Sequence, residues 1–415
     1  MKKYLRSLYG PAILGASIDG YDIALYGYMA PVLVQVFLPH LDKTTAYFFY
    51  FLFEFFAAIC QLLGARFYGD MGDKYGRKHA MYQSMLGTSC VTFMICLLPT
   101  YQACGFIAAL LFALMRAMQS FFLGGEYNGG AIYCLEHEEE RKRHGLVSGL
   151  YCAFTVSGIV IASLTATACN MLGPEYFRVA YAVSFLFALF TYIVRSKIQE
   201  TPEYLRIANN SVLPTLVIVK KQKFVALILA SLFFGMLYGL PTRILNALLP
   251  LTTTINTSQI MVINSVFLAL YMVLLVVAGW LADLYGAKRV MRIAVSLSGV
   301  LAYPLMLLIE TKAFAGIILA KAIFAALTAA FMGPFHSWAQ RLFPVHNRYK
   351  NISMCYATGK CSSTILLAGS VLIFEHYQNV TSLGVILAFI AIITMRIFYE
   401  TSTQETFKAV PSNQH

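Results

Sequence analysis

Apolar residues fill this chain in long blocks, and polar residues gather in the short breaks between them. The blocks lie near 11–37, 46–68, 80–99, 103–133, 146–170, 177–195, 224–250, 259–283, 290–309, 313–340, 351–374 and 381–399. Apolar runs of about 18 residues or more read as membrane spans. A backbone in lipid must satisfy its own N–H and C=O groups, so each block is expected to be a helix. Barrel strands would be about ten residues long and strictly alternating, and the chain shows neither property. The pattern predicts an all-α membrane protein with twelve transmembrane helices.

The longest break, roughly 196–223, carries Pro202, Pro214 and the basic run KKQK. It divides the chain into an N-terminal six-helix half (1–195), a linker (196–223), a C-terminal six-helix half (224–400) and a short tail (401–415). A repeat supports this division. GDMGDKYGRK (69–78) follows the second block, and GWLADLYGAK (279–288) follows the eighth. Aligned, they pair Gly69, Asp73, Tyr75, Gly76 and Lys78 with Gly279, Asp283, Tyr285, Gly286 and Lys288. Two such loops at the same place in each half point to parallel repeats. A weaker echo follows the fourth and tenth blocks, in EHEEERKRHG (136–145) and RLFPVHNRYK (341–350).

The repeated loop has a physical reading. Gly76 suits a backbone turn with positive φ. Asp73 can accept N–H bonds at a helix start, where the helix dipole also favours an anion. Arg77 and Lys78 hold the loop at an anionic lipid surface. Such a loop can latch helix ends together in one state and release them in another. Gly69, Asp73, Gly76, Arg77, Lys78, Asp283, Gly286 and Lys288 are the candidate gate residues. A plain basic turn would use similar residues, and the duplication favours the latch.

Composition agrees with a membrane chain: 59% of the 415 residues are hydrophobic and 12% charged, where a soluble domain has about a quarter charged. A net charge of +12 would suggest nucleic acid in a soluble protein. Here its distribution decides otherwise. With both termini in the cytoplasm, 24 of the 31 Lys and Arg residues fall on the cytoplasmic side and four lie within the apolar blocks. The outside keeps Lys43, Arg178 and Lys312. That asymmetry is the positive-inside rule, and the surplus faces anionic lipid. No nucleic-acid partner is expected. The nine cysteines form no CxxC pair, so neither a disulfide nor a metal site is expected. No P-loop or nucleophile motif occurs. No cofactor, catalytic residue or enzymatic activity is expected.

In these motifs the chain resembles the major facilitator superfamily, whose two halves are related by an axis along the membrane normal. GDMGDKYGRK resembles that superfamily's signature loop. Together with GASIDGYDIALYG (15–27) and RAMQSFFLGGEYNGGAIYCLEHEEERKRHG (116–145), it resembles the metabolite–proton symporter branch, which holds proline/betaine and dicarboxylate or citrate symporters. The likeness is fullest over residues 11–160. The chain differs from the branch in having Gln61 and Leu62 where Arg-Pro is usual, and Asp19 where Glu is usual. The resemblance implies proton-coupled uptake at the inner membrane of a bacterium, by a transporter that works as a monomer.

Charges inside spans cost about 2.5–3.5 kcal/mol each at a helix centre, so they should face a cavity or one another. The acidic set is Asp19, Asp22, Glu54 and Glu126; the basic set is Arg116, Arg243, Lys321 and Lys360. Mutual pairing without further function would leave the same pattern. Asp19 and Asp22 share a helix face at i,i+3, continued by Tyr26. Two carboxylates so close in a low dielectric do not both ionise readily, so this pair is the first proton-coupling candidate, with Asp22 the residue that matches the family. Glu126 in LGGEYNGG is next, and Glu54 lines a cavity or neutralises Arg116. Arg116, Lys321 and Lys360 are the candidate solute-binding cations, since Arg can hold a carboxylate bidentately. Tyr21, Tyr26 and Tyr127 are the aromatic candidates for the cavity. Arg243 is expected to snorkel to the surface, and Trp280 and Trp338 to anchor at the interface. Pro241 and Pro250 can bend the seventh helix.

The expected activity is symport of protons with a small polar metabolite bearing a carboxylate: an organic acid, an amino acid or a betaine. An uncoupled facilitator or exchanger, and a nutrient receptor without transport, are the rival readings.

Overall fold

The computed structural model describes residues 10–138, 142–209, 219–252 and 257–400. The expected tail, the middle of the linker and the centre of the 136–145 loop lie outside the described residues.

Among the described residues, twelve long helical spans follow one another. Span 1 is Gly10–Tyr28, continued after Met29 by Ala30–Phe37. Spans 2 and 3 are Lys43–Lys74 and Arg77–Cys96. Spans 4, 5 and 6 are Phe106–Glu136, His144–Leu172 and Phe177–Ser196. A short helix, Pro202–Asn209, follows. Span 7 runs Lys221–Gly239, through a π-helical turn at Leu240–Ile244, and on as Leu245–Thr252. Spans 8 and 9 are Thr257–Tyr285 and Ala287–Glu310. Span 10 is Phe314–Met332, with a short extension at Phe335–Ala339. Spans 11 and 12 are Arg348–Tyr377 and Thr381–Glu400.

Among the described residues, ten helices are long and apolar enough to cross a membrane. The first and third are more polar, and the reason is local. Span 1 carries Asp19 and Asp22, while span 3 opens with Arg77, Lys78 and His79. Asp19, Asp22 and Arg77 are all buried in protein rather than set against lipid.

Spans 1 and 5, 2 and 4, and 3 and 6 pack as pairs in the first half; spans 7 and 11, 8 and 10, and 9 and 12 do so in the second. Span 2 meets span 11 and span 5 meets span 8 across the junction between halves. Close approach within the first half depends on glycine. A Cβ at Gly124 would collide with the backbone of Gln61 to Ala65 in span 2. The outer surface is apolar, with Phe48, Phe51, Leu63, Leu164 and Ile392 all well exposed, as lipid-facing positions should be. Trp280 is exposed, whereas Trp338 is buried and stacks on Phe398 at 4.8 Å. Trp338 therefore packs inside the helix bundle rather than anchoring at the interface.

The face that carries the 69–78 and 279–288 loops also carries Arg77, Arg348 and Lys350, and is called the basic face below. The opposite face holds the 38–42 and 97–105 connections.

Candidate functional site

At the junction of the halves lies a cavity of about 130 Å³. It suits a small metabolite, since drug-sized ligands take roughly 300–1,000 Å³. Spans 1, 2, 4, 5, 7, 8, 10 and 11 all contribute to its wall. Among the described residues its lining includes two cations, Arg243 and Lys360, and no carboxylate. Lys360 Nζ donates to Gln61 Oε1 at 3.3 Å, joining span 11 to span 2. Four tyrosines face the same space: Tyr127, Tyr238, Tyr271 and Tyr356. Asn128 lines it too, and its Oδ1 is buried without a hydrogen-bond partner.

Beside this cavity, buried within the first half, sit the acidic residues of spans 1 and 4. Asp19 is almost fully buried, and neither of its carboxylate oxygens has a hydrogen-bond partner. The charges of Arg195 and Asp22 act on it. Glu126 forms a buried ion pair with Arg195 and accepts a hydrogen bond from Ser84. Asp22 Oδ1 accepts a hydrogen bond from Ser184, and its Oδ2 has none. A second group lies near Asp22, on which the Arg116 charge acts. Arg116 pairs with Glu54 at 3.4 Å, donates to Gln119 at 2.9 Å and stands 4.6 Å above the Tyr26 ring. Tyr26 and Tyr50 exchange hydroxyl-to-carbonyl hydrogen bonds.

The basic face is clasped shut by the repeated loops. Asp73 accepts N–H bonds from Tyr349 at 3.1 Å and Lys350 at 2.9 Å, the free donors at the start of span 11. Asp283 does the same for Gly145 at 2.6 Å and Leu146 at 2.9 Å, at the start of span 5. Helix starts leave such N–H groups without intrahelical partners, and their dipole favours an anion. Each clasp joins one half to the other. Gly76 and Gly286 close the loops with φ of 103° and 90°, a region that disfavours side chains. Behind the first clasp, Glu136 accepts from Arg77 at 3.0 and 3.1 Å, from Arg348 at 2.8 Å and from Thr201 at 2.7 Å. Glu200 takes the N–H groups of Arg77 and Lys78 at 3.1 and 3.0 Å, and Arg348 also pairs with Glu203 at 2.6 Å.

Residues 9–223 match the family described as "Sugar (and other) transporter", and residues 236–413 match "Major Facilitator Superfamily". The chain belongs to the major facilitator superfamily. It is 24% identical to the glycine betaine/proline/ectoine/pipecolic acid transporter OusA of Dickeya dadantii (strain 3937), over 98% of this chain and 86% of that one. It is 25% identical to the ectoine/proline transporter ProP of Corynebacterium glutamicum, over 85% and 75%. Among solved structures it resembles the proton:xylose symporter XylE bound to 6-bromo-6-deoxy-D-glucose. The TM-score is 0.81 at 14% identity, covering 96% of both chains. A bacterial homologue of the iron transporter ferroportin in an outward-facing state gives 0.73 at 14%, over 96% and 100%. The protein is thus a multi-pass membrane transporter of small solutes, not an enzyme.

Within this transporter the residues singled out from sequence fall in separate places. Tyr127 and Lys360 line the central cavity. Tyr21 and Tyr26 are buried away from it, Tyr21 donating to the Ala180 carbonyl at 2.9 Å. Arg116 and Glu54 form their own pair outside the lining. Lys321 lies in a separate apolar pocket between spans 8 and 10, where it donates to Asn246. Arg243 turns into the cavity instead of snorkelling outward, because the π-helical turn that contains it and Pro241 resets the helix face. Sequence reasoning counted Arg195, the last residue of the 177–195 block, among the cytoplasmic-side cations and gave it no role; it is fully buried against Glu126. It also passed over Glu136 and Asn128. The glycines of LGGEYNGG were the available signal for Asn128. Glu136 opens the EHEEERKRHG loop, whose echo of RLFPVHNRYK was its signal.

Proposed function

We propose that this transporter is a proton-coupled symporter that takes up a small carboxylate-bearing metabolite across the bacterial inner membrane, with the basic face and both termini in the cytoplasm. The observation that carries the reading is the central cavity: among the described residues its lining holds two cations and no carboxylate, next to a buried acidic pair in span 1. A carboxylate solute supplies the missing negative charge. Asp19 can accept a proton without giving up any hydrogen bond, and Asp22 has one free oxygen. A proton on this pair changes the charge beside Arg195 and Glu126, and so the balance of the half that holds them. The clasped basic face is the state closed to the cytoplasm. Release of the Asp73 and Asp283 clasps, with rocking of the two halves, would expose the cavity to the other side. A single chain contains the whole pathway, in keeping with a monomer, and the exposed apolar belt suits a lipid bilayer. The relatives named for betaine, proline and ectoine carry solutes of this class.

The test is uptake into proteoliposomes. Under an imposed pH gradient, acid outside, labelled glycine betaine or proline should accumulate, and an uncoupler should abolish the accumulation. Equilibration without accumulation would point to a facilitator. Binding with no flux would point to a receptor. Either result overturns proton symport.

A further inference from the structure

Glu54 is placed to act on the central cavity from just outside its lining. On span 2 it shares a helix face with Gln61, which lies two turns on and about 10 Å nearer the basic face by helix rise. Phe48, Phe51, Phe55, Ile59 and Leu63 form the exposed stripe of that helix, and Glu54 is turned away from it. Its side chain is nevertheless 39% exposed, against 4% for its partner Arg116. The carboxylate therefore looks into the passage between the halves, with Arg116 buried behind it.

Across that passage stand Lys360 and Arg243, the cations of the lining. Lys360 already reaches span 2 through Gln61, at 3.3 Å. The charges of Arg243, Glu54 and Arg116 all act on it. Glu54 is held loosely: its contact with Arg116 is 3.4 Å long, where charge-assisted hydrogen bonds run about 2.7–2.9 Å. If Glu54 leaves, Arg116 keeps Gln119 and the Tyr26 ring.

A symporter that works by alternating access closes its cavity twice per cycle, once loaded and once empty. When it is loaded, the solute carboxylate answers the two cations. When it is empty, closure would bury them without a counter-charge, which is costly in a low dielectric. A carboxylate at the mouth that can change partners removes that cost.

We infer that Glu54 stands in for the solute carboxylate in the empty carrier: it exchanges Arg116 for Lys360 as the passage closes, and so lets the empty protein return. This rests on the symporter reading above and adds to it the return step.

Two flux modes in proteoliposomes isolate that step. Net uptake of labelled proline under a pH gradient needs the empty return; exchange against unlabelled proline inside does not. Glu54→Gln should slow net uptake at least about tenfold and leave exchange unchanged. The loss should persist in Glu54→Gln/Arg116→Gln, because its cause is Lys360 and not an unpaired Arg116. A second measurement uses the parent protein. A carbodiimide, which joins a carboxylate to an amine in contact with it, should form a Glu54–Lys360 amide in the empty protein, and saturating proline should suppress it; mass spectrometry reads the link. Unreduced net uptake, an equal loss of both modes in protein with an unchanged elution profile, recovery in the double variant, or the absence of a proline-sensitive link would overturn the inference. The symport reading fails separately, as a parent that exchanges proline without accumulating it; the link, which needs no gradient, still decides the pairing.

Discussion

Glu136→Gln probes the clasp at its most buried point. Glu136 is nearly inaccessible and holds Arg77 from the first half, Arg348 from the second and Thr201 from the connection between them. Removing one partner of a buried ion pair costs about 3–5 kcal/mol, because the other charge stays buried. Here both guanidiniums keep a second carboxylate, Asp73 at 3.3 Å for Arg77 and Glu203 at 2.6 Å for Arg348. The lower end, about 3 kcal/mol, is therefore the relevant figure. The Glu136–Arg348 bond links the two halves, so it is present only while the basic face is closed, and its loss falls mainly on that state. A shift of about 3 kcal/mol changes the open-to-closed ratio by about 150-fold. Cys355 reports the change: it is buried on span 11 about two turns beyond Arg348. In a variant retaining Cys355 alone, a bulky maleimide applied from the basic face should label the Glu136→Gln protein roughly a hundredfold faster. A rate within twofold of the parent, in protein with an unchanged elution profile, would refute the argument that Glu136 belongs to the closed state.

Three further outcomes are expected. Asp22→Asn should abolish pH-driven accumulation while solute counterflow persists; full accumulation in that variant would exclude Asp22 as the proton carrier, and the same assay on Asp19→Asn shows how the pair divides the task. Lys360→Met should weaken solute binding by at least about tenfold, the scale of a lost charge-assisted hydrogen bond, and isothermal titration measures it. Arg116→Lys should lower the melting temperature and leave solute affinity unchanged, because Arg116 serves Glu54, Gln119 and the Tyr26 ring with a planar fork that lysine lacks; a large loss of affinity would place Arg116 in the binding path.

The helices were legible because their signal is one-dimensional. Long apolar blocks fix the spans, and two copies of one loop reveal the repeat. The clasp was legible for a related reason: Asp73 and Asp283 act on backbone N–H groups, which every helix start supplies. The site was harder to read because burial is decided by neighbours distant in sequence. Nothing around Arg195 marks it as internal until Glu126 is brought to it from span 4. Arg243 reads as an end-of-helix cation unless the π-helical turn is known, since one additional residue in a turn changes which side faces inward. Arg116 and Lys321 stand at similar depths in spans 4 and 10, yet the first is held by an ion pair and the second by an amide. A charge within an apolar run shows that some partner exists; the packing of the other helices determines which one.

The π-helical turn at Leu240–Ile244 has a consequence for motion. A wide turn holds one residue more than an α-helical turn would. If it tightens, every residue beyond it rotates by about 100° about the axis while the helix stays intact. The outer stretch of span 7 is thus a screw with one notch of play, able to exchange the side chains it presents to the passage without unwinding. Control of entry would then rest on the phase of a single helix, with Arg243 riding on the thread.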